Sequence, residues 1–173
     1  VCINLSSEQV GYLPEPNNYW SLSSCFKKAE ILPTTSVEAE DHLDSLLREV
    51  ISEQMISDVP LGAFLSGGVD SSAVVAIMQH LSSSPIKTFS IGFDDKRFNE
   101  AEYAKAVAEH LGTDNTDRYV TARAGLDVIP KLPASYDQPL AASSQLPTYL
   151  VAEMTQRDLP VALSAGGGAR LFW

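Results

Sequence analysis

The chain has 173 residues, 45% of them hydrophobic and 20% charged, enough apolar material for one sizeable core and too much for a wholly disordered chain. Acidic residues outnumber basic ones 22 to 12, a formal charge of −10 that argues against a nucleic-acid surface and mainly aids solubility. There is no run of about 18 apolar residues for a membrane span, no basic region at the Val1-Cys-Ile-Asn start, and no CxxC or histidine clustering around Cys2 and Cys25, so a reducing cytoplasm is the expected setting.

Residues 1–34 contain Gly11, Pro14, Pro16, the Asn17-Asn18 pair and Pro33 with little periodicity, and read as loop, short strands or linker. The chain lacks an initiator Met, which suggests a start inside a longer protein. Thr35 with Glu38 three residues on forms a capping box, opening a helix whose Leu43, Leu46, Leu47, Val50, Ile51 and Met55 are expected to face a sheet. Leu61 to Leu65 reads as a buried strand, and Ser71 to about Leu81 as a helix with Val74, Val75, Ile77, Met78 and Leu81 apolar. A second strand is expected over Ile86 to Phe93, and a helix over Asn99 to Leu111 with Gly112 as its C-cap. Thr116 to Val120 reads as a short strand, Ala122 to Leu132 as a helix closed by Pro133, Leu146 to about Gln156 as another helix, and Pro160 to Ser164 as a last strand. Strands alternating with helices predict an α/β fold with a parallel sheet and right-handed crossovers, whose ligands sit beyond the carboxyl ends of the strands. Ser66, Phe93 and Ser164 follow strand ends and are expected to converge on one crevice.

The turn between the first strand and its helix carries the chemistry. Ser66-Gly67-Gly68-Val69-Asp70-Ser71-Ser72 offers glycines that let backbone N–H groups converge, hydroxyls at Ser66, Ser71 and Ser72, and the positive end of a helix. A Walker loop would carry a lysine; this one carries Asp70, which suits a magnesium ion, so the expected ligand is Mg-bound pyrophosphate. Asp70 as a plain helix cap is the weaker reading. His80 and His110 fall at helix ends, where a cation complements the dipole, and His42 reads as solvated. Ser66 is no G-x-S-x-G nucleophile, because its glycines lie on the wrong side. Asp94, Asp95, Glu100 and Glu102 read as a solvated loop and helix start.

That loop resembles the pyrophosphate loop of the N-type ATP pyrophosphatases, and Val59-Pro-Leu-Gly-Ala-Phe-Leu before it resembles the glutamine-dependent asparagine synthetases. The likeness continues through Lys87-Thr-Phe-Ser-Ile-Gly-Phe-Asp, Asn99-Glu-Ala-Glu-Tyr-Ala, His110-Leu-Gly-Thr, Tyr136-Asp-Gln-Pro and Ser143-Ser-Gln-Leu-Pro-Thr, and covers about Asn17 to Phe172. It implies an adenine nucleotide alpha hydrolase-like (Rossmann-like) ATP pyrophosphatase domain over 35–173, incomplete at its C-terminus and without the lysine expected to touch the phosphates, preceded by a linker or remnant over 1–34. The resemblance implies activation of a carboxylate by attack on the α-phosphate of ATP, then displacement of AMP by ammonia. It assigns ATP and pyrophosphate to Leu65, Ser66, Gly67, Gly68, Asp70, Ser71, Ser72, Ile91, Gly92 and Ser164. Leu65, Ile91 and Gly92 match the adenine slot, and Asp70 the Mg2+ ligand.

The match departs at its end. Where the family reads S-G-(D/E)-G-(G/S)-D-E-L-F-G, this chain reads Ser164-Ala-Gly-Gly-Gly-Ala-Arg-Leu-Phe-Trp, with Gly166, Ala169 and Arg170 at the acidic positions; Gln138 and Ala142 also replace frequent acids. The glutaminase half is not matched, and Cys2 does not stand for its nucleophile, so ammonia would come free or from a separate glutaminase domain or subunit. The implied substrates are ATP, aspartate and ammonia, with no nucleic acid and no membrane. Open alternatives are a nucleotide-binding remnant, a relative acting on another carboxylate as β-lactam synthetases do, and a damaged reading frame. Loss of covering helices beyond Trp173 would leave Leu171, Phe172 and Trp173 exposed.

Overall fold

The computed structural model describes residues 18–28, 35–94, 99–138, 142 and 144–165. The chain divides into two units, Val1–His42 and Leu43–Trp173. In the first, helix α1 (Leu22–Lys28) occupies a stretch expected to be loop, strand or linker. The overlooked signal is a cap: the Ser24 N–H donates to Ser21 Oγ at 3.2 Å, and Ser24 Oγ donates back to the Ser21 carbonyl at 2.7 Å. Helix α2 (Ser36–Gln54) opens on the predicted capping box, with Glu38 N–H donating to Thr35 Oγ1 at 3.3 Å and Thr35 N–H to Glu38 Oε2 at 3.2 Å.

The second unit holds the sheet. Strands β1 (Leu61–Phe64), β2 (Lys87–Phe93), β3 (Asp114–Val120) and β4 (Val161–Leu163) are all parallel, in the order β3-β2-β1-β4. Helix α3 (Val69–Leu81) carries the chain from β1 to β2, and α4 (Ala101–Leu111) from β2 to β3. Gly112, at φ +71°, closes α4 as its left-handed cap. The fold class is therefore α/β with a parallel sheet, as the alternation of apolar segments predicts. The strand alternation sends Ala63 and Leu65 into a cluster with Ile51 of α2, Val75 and Met78 of α3 and Ala104 and Ala108 of α4. On the opposite face Phe89 packs with Met154 and Leu159, while Val120 packs with Val128 and Leu150.

Three boundaries differ from the sequence reading. First, of the expected stripe only Leu47 and Ile51 on α2 and Met55 just past its end, spaced by four, meet the core; Leu43, Leu46 and Val50 are exposed, one row around the helix or past the end of the contact. Second, the helix expected over 122–132 is broken into α5 (Ala122–Val128), a 3-10 turn (Ile129–Lys131) and α6 (Leu132–Ser135). Pro130 and Pro133 each fall in a first turn, where the missing N–H has no intrahelical acceptor, so they restart the chain rather than close it. Third, β3 begins at Asp114 and α3 at Val69, two residues earlier than expected, while α7 (Gln145–Thr155) and β4 lie within a residue or two of their predicted ends. On α2, Arg48 Nε donates to Asp44 Oδ2 at 2.7 Å, which holds the Asp44 carboxyl below its ordinary range and the guanidinium above its own.

A polar seam runs between β2 and β3. Thr88 and Ser90 are buried, and their hydroxyls donate to Asn115 Oδ1 at 2.9 and 3.2 Å; Thr88 Oγ1 also lies 3.0 Å from Thr113 Oγ1. Two buried hydroxyls are thus satisfied across the sheet.

Candidate nucleotide site

The chain runs outward from β1 through β2 to β3, then returns to the other side of β1 as β4. The strand order reverses at β1 and β4, so the segments leaving their carboxyl ends flank the crevice where such sheets hold ligands. The segment leaving β1 is Leu65-Ser66-Gly67-Gly68, and that leaving β4 starts at Ser164. Continuing the register of Phe64 with Phe89, Ser66 stands level with Ile91, and Ser164 stands level with Phe64.

The loop is held by its own serines. Ser71, only 8% exposed, lies with Oγ 2.9 Å from Ser66 Oγ, accepts the Ser66 N–H at 3.2 Å and donates to the Gly68 carbonyl at 3.1 Å. Ser72 Oγ donates to the same carbonyl at 2.7 Å, and the Ser72 N–H at 3.0 Å. Gly68 N–H turns to Ser66 Oγ at 3.3 Å. The loop is thereby braced by its own hydrogen bonds. The N–H groups of Val69, Asp70 and Ser71 form the first turn of a helix of 13 residues, where no upstream carbonyl is available to them. Gly67 sits at φ +80°, and a Cβ there would lie 2.6 Å from the Ala104 nitrogen and 2.8 Å from Tyr103 Cβ. The loop is thus pressed onto the first half of α4, which only a glycine permits.

Asp70 projects from the first turn of α3 and is exposed. Among the described residues no three His, Cys, Asp or Glu side chains gather to hold a metal. A single carboxylate suits magnesium that arrives on a phosphate, with oxygens of the nucleotide and water as its other ligands.

The other expected residues divide by face. Leu65 is 1% exposed within the α3 and α4 cluster, and its N–H donates to the Phe89 carbonyl at 2.9 Å. Ile91 lies on the opposite face with Phe93 and Val120. Gly92 is buried under Tyr119 and Ala101, whose atoms would lie 2.7 to 2.9 Å from a Cβ placed there. The side chains of Leu65 and Ile91 therefore lie on opposite faces of the sheet and do not meet. Ser164 is exposed at the end of β4. Residues 166, 169 and 170, the Leu171-Phe-Trp end, Asp95 and Cys2 lie outside the described residues. His80 and His110 occupy the last turns of α3 and α4 and His42 is exposed, as expected. Asp94, Glu100 and Glu102 are exposed. Tyr103, the ring-bearing neighbour of the loop, lies in the Asn99-Glu-Ala-Glu-Tyr-Ala segment of the resemblance but was given no role there; it shoulders Gly67 because α4 packs beside α3.

Residues 42–173 match the profile of the asparagine synthase family. The chain is 36% identical over 152 residues to asparagine synthetase [glutamine-hydrolyzing] 1 of Bacillus subtilis, covering 84% of this chain and 23% of that one. It is 41% identical over 128 residues to the putative asparagine synthetase [glutamine-hydrolyzing] 2 of Methanocaldococcus jannaschii, covering 73% and 25%. The chain thus spans about a quarter of the length of these relatives. A solved NH3-dependent NAD synthetase from Campylobacter jejuni superposes with a TM-score of 0.49 at 14% identity, over 70% of this chain and 54% of that one. By the profile and by identity over most of its length, the chain belongs to the asparagine synthase family.

Proposed function

We propose that the domain over 35–173 binds MgATP at Ser66 to Ser72 and serves an ATP-dependent, AMP- and pyrophosphate-forming amide ligase that makes asparagine from aspartate. The observation that carries this reading is the serine-braced loop at the reversal of strand order, with helix N–H donors behind it. Those N–H groups and the Ser66, Ser71 and Ser72 hydroxyls would bind the pyrophosphate oxygens, Asp70 would hold Mg2+, and backbone at Leu65, Ile91 and Gly92 would border the adenine. Bound magnesium would neutralise charge on the phosphates. A β-carboxylate oxygen attacks the α-phosphorus, the bond to the bridging oxygen breaks and pyrophosphate leaves. Ammonia then attacks the acyl carbon of the β-aspartyl-adenylate, AMP departs and the excess proton passes to solvent. The loop's contribution is to hold pyrophosphate in line as it leaves. The ammonia would come free or from a separate glutaminase domain or subunit, and the setting would be cytoplasmic; no described helix is long and apolar enough to cross a membrane.

A second reading rests on Gly166, Ala169 and Arg170, which put two neutral residues and a cation at the family's acidic positions. On that reading the chain holds ATP weakly without turnover. The test is AMP and pyrophosphate release with ATP, Mg2+, aspartate and ammonia, by the natural chain and by a variant carrying Gly166→Asp, Ala169→Asp and Arg170→Glu. Aspartate-dependent AMP release that rises in the variant supports the ligase; binding without release in both forms supports the remnant. Release that depends on a different carboxylate would move the substrate toward β-lactam synthetase-like chemistry.

A further inference from the structure

Strand β3 ends the sheet. Among the described residues it pairs only with β2, along its whole length from Asp114 to Val120, and no described strand pairs with its outer backbone edge. The Asp114 N–H donates to the Ile86 carbonyl at 2.9 Å, which fixes the alternation of the strand. Backbone groups of 114, 116, 118 and 120 turn to β2, and those of Asn115, Asp117 and Tyr119 turn to the outer edge. The side chains of Asp114, Thr116, Asp117, Arg118 and Tyr119 are exposed. Neither Asp114 nor Arg118 has an ion pair among the described residues. Asn115 spends its Oδ1 on the buried hydroxyls of Thr88 and Ser90, so its Nδ2 donors are left without a partner among the described residues. Charged side chains on an edge discourage pairing with any strand that does not match them in sign.

We propose that β3 pairs antiparallel with β3 of a second copy of this chain, about a two-fold axis normal to the sheet through Thr116, joining two four-stranded sheets into one. This inference is independent of the ligase reading. Such an axis keeps each side chain on its own face, so residues oppose others of the same parity. Centred on Thr116, the register opposes Asn115 to Asp117 of the second copy, and Asp117 to its Asn115, as hydrogen-bonded pairs built from the outward-turned backbone groups. On that face the idle Nδ2 donors of Asn115 stand beside the second copy's Asp117 carboxylate. On the other face Thr116 meets Thr116, flanked on both sides by Asp114 opposite Arg118, which are complementary cross-strand pairs.

The neighbouring registers are worse for stated reasons. Centring on Asp117 sets two carboxylates opposite one another. Centring on Arg118 sets two guanidiniums in a non-hydrogen-bonded pair, where the Cα atoms are only about 4.5 Å apart. Centring on Asn115 opposes Asp114 to Thr116 and Arg118 to Gly112, leaving the charges unmatched. Charge complementarity therefore selects a second copy of this same strand, in one register, as the occupant.

The test is sedimentation equilibrium of the purified chain and of two exposed-site variants, Asp114→Arg and Arg118→Asp, with circular dichroism confirming that each folds. The natural chain should reach twice its 18.7 kDa mass as concentration rises. Each single variant opposes like charges at both ends of the pairing and should weaken association by about tenfold or more. An equimolar mixture of the two variants again sets a cation opposite a carboxylate at both ends of the pairing, and should return to the dimer mass as a mixed pair. A natural chain that stays at 18.7 kDa, single variants that associate as well as the natural chain, or a mixture that fails to reassociate would each overturn the proposal.

Discussion

Replacing Gly67 by alanine tests the loop geometry most sharply. The residue sits at φ +80°, where a side-chain-bearing residue costs about 1–2 kcal/mol. Its new Cβ would lie 2.6 Å from the Ala104 nitrogen, 2.8 Å from Tyr103 Cβ and 3.0 Å from the Tyr103 carbonyl carbon. Two of these atoms are backbone, so no rotamer change relieves the contact. Either the loop or the first half of α4 must shift, at the roughly 1–3 kcal/mol typical of overpacking. The sum, about 2–5 kcal/mol, is a large part of the stability of an ordinary domain. At a urea slope near 2 kcal/mol per molar it moves the midpoint by about 1–2.5 M. Gly68→Ala is the internal control, because its φ is −73° and its Cβ would meet only Ser66 Oγ, at 3.4 Å. Equilibrium urea unfolding followed by circular dichroism should place Gly67→Ala far below both Gly68→Ala and the natural chain. Equal midpoints for the two alanine variants would refute the claim that the loop is pressed onto α4.

Three further outcomes follow from the same geometry. Ser71→Ala removes a buried hydroxyl bonded to Ser66 and Gly68 and should cost about 1–3 kcal/mol, more than Ser72→Ala, whose hydroxyl serves one carbonyl; urea midpoints in the opposite order would count against the bracing role. Gly92→Ala drives a Cβ to 2.7 Å from the Tyr119 ring and should cost about 1–3 kcal/mol, partly recovered by adding Tyr119→Ala, since that side chain is exposed and removable. A double-mutant cycle with no coupling would place the clash elsewhere. Asp70→Ala, at an exposed helix start, should leave the unfolding free energy within about 0.5 kcal/mol of the natural chain's in the same urea titration.

The order of strands and helices was legible because their apolar periods differ, and the turn after β1 was legible because Ser66-Gly67-Gly68 interrupts both periods. Less was legible where tertiary packing decides. Nothing in the alternation of Leu61 to Phe64 says that β1 lies between β2 and β4, which is what puts Ser66 and Ser164 just past the ends of neighbouring strands. The faces of Leu65 and Ile91 are opposite because the register sets Phe64 beside Phe89; each residue alone is simply an apolar position. On α2 the stripe of Leu43, Leu46 and Val50 obeyed helical spacing yet stayed exposed, because the core under that helix is narrower than the stripe. Pro130 and Pro133 looked like a stop and serve as starts, a distinction that depends on where each short helix begins. Residue Tyr103 became part of the site only through the packing of α4 on Gly67.

The central claim is that Ser66 to Ser72 is a working site for a magnesium nucleotide. Isothermal titration of the chain with ATP, with and without Mg2+, tests it directly when repeated on Asp70→Ala. The account predicts binding that requires Mg2+ in the natural chain and is lost in the variant, with both proteins folded. No heat of binding from the folded natural chain, or binding untouched by the loss of Asp70, would contradict it.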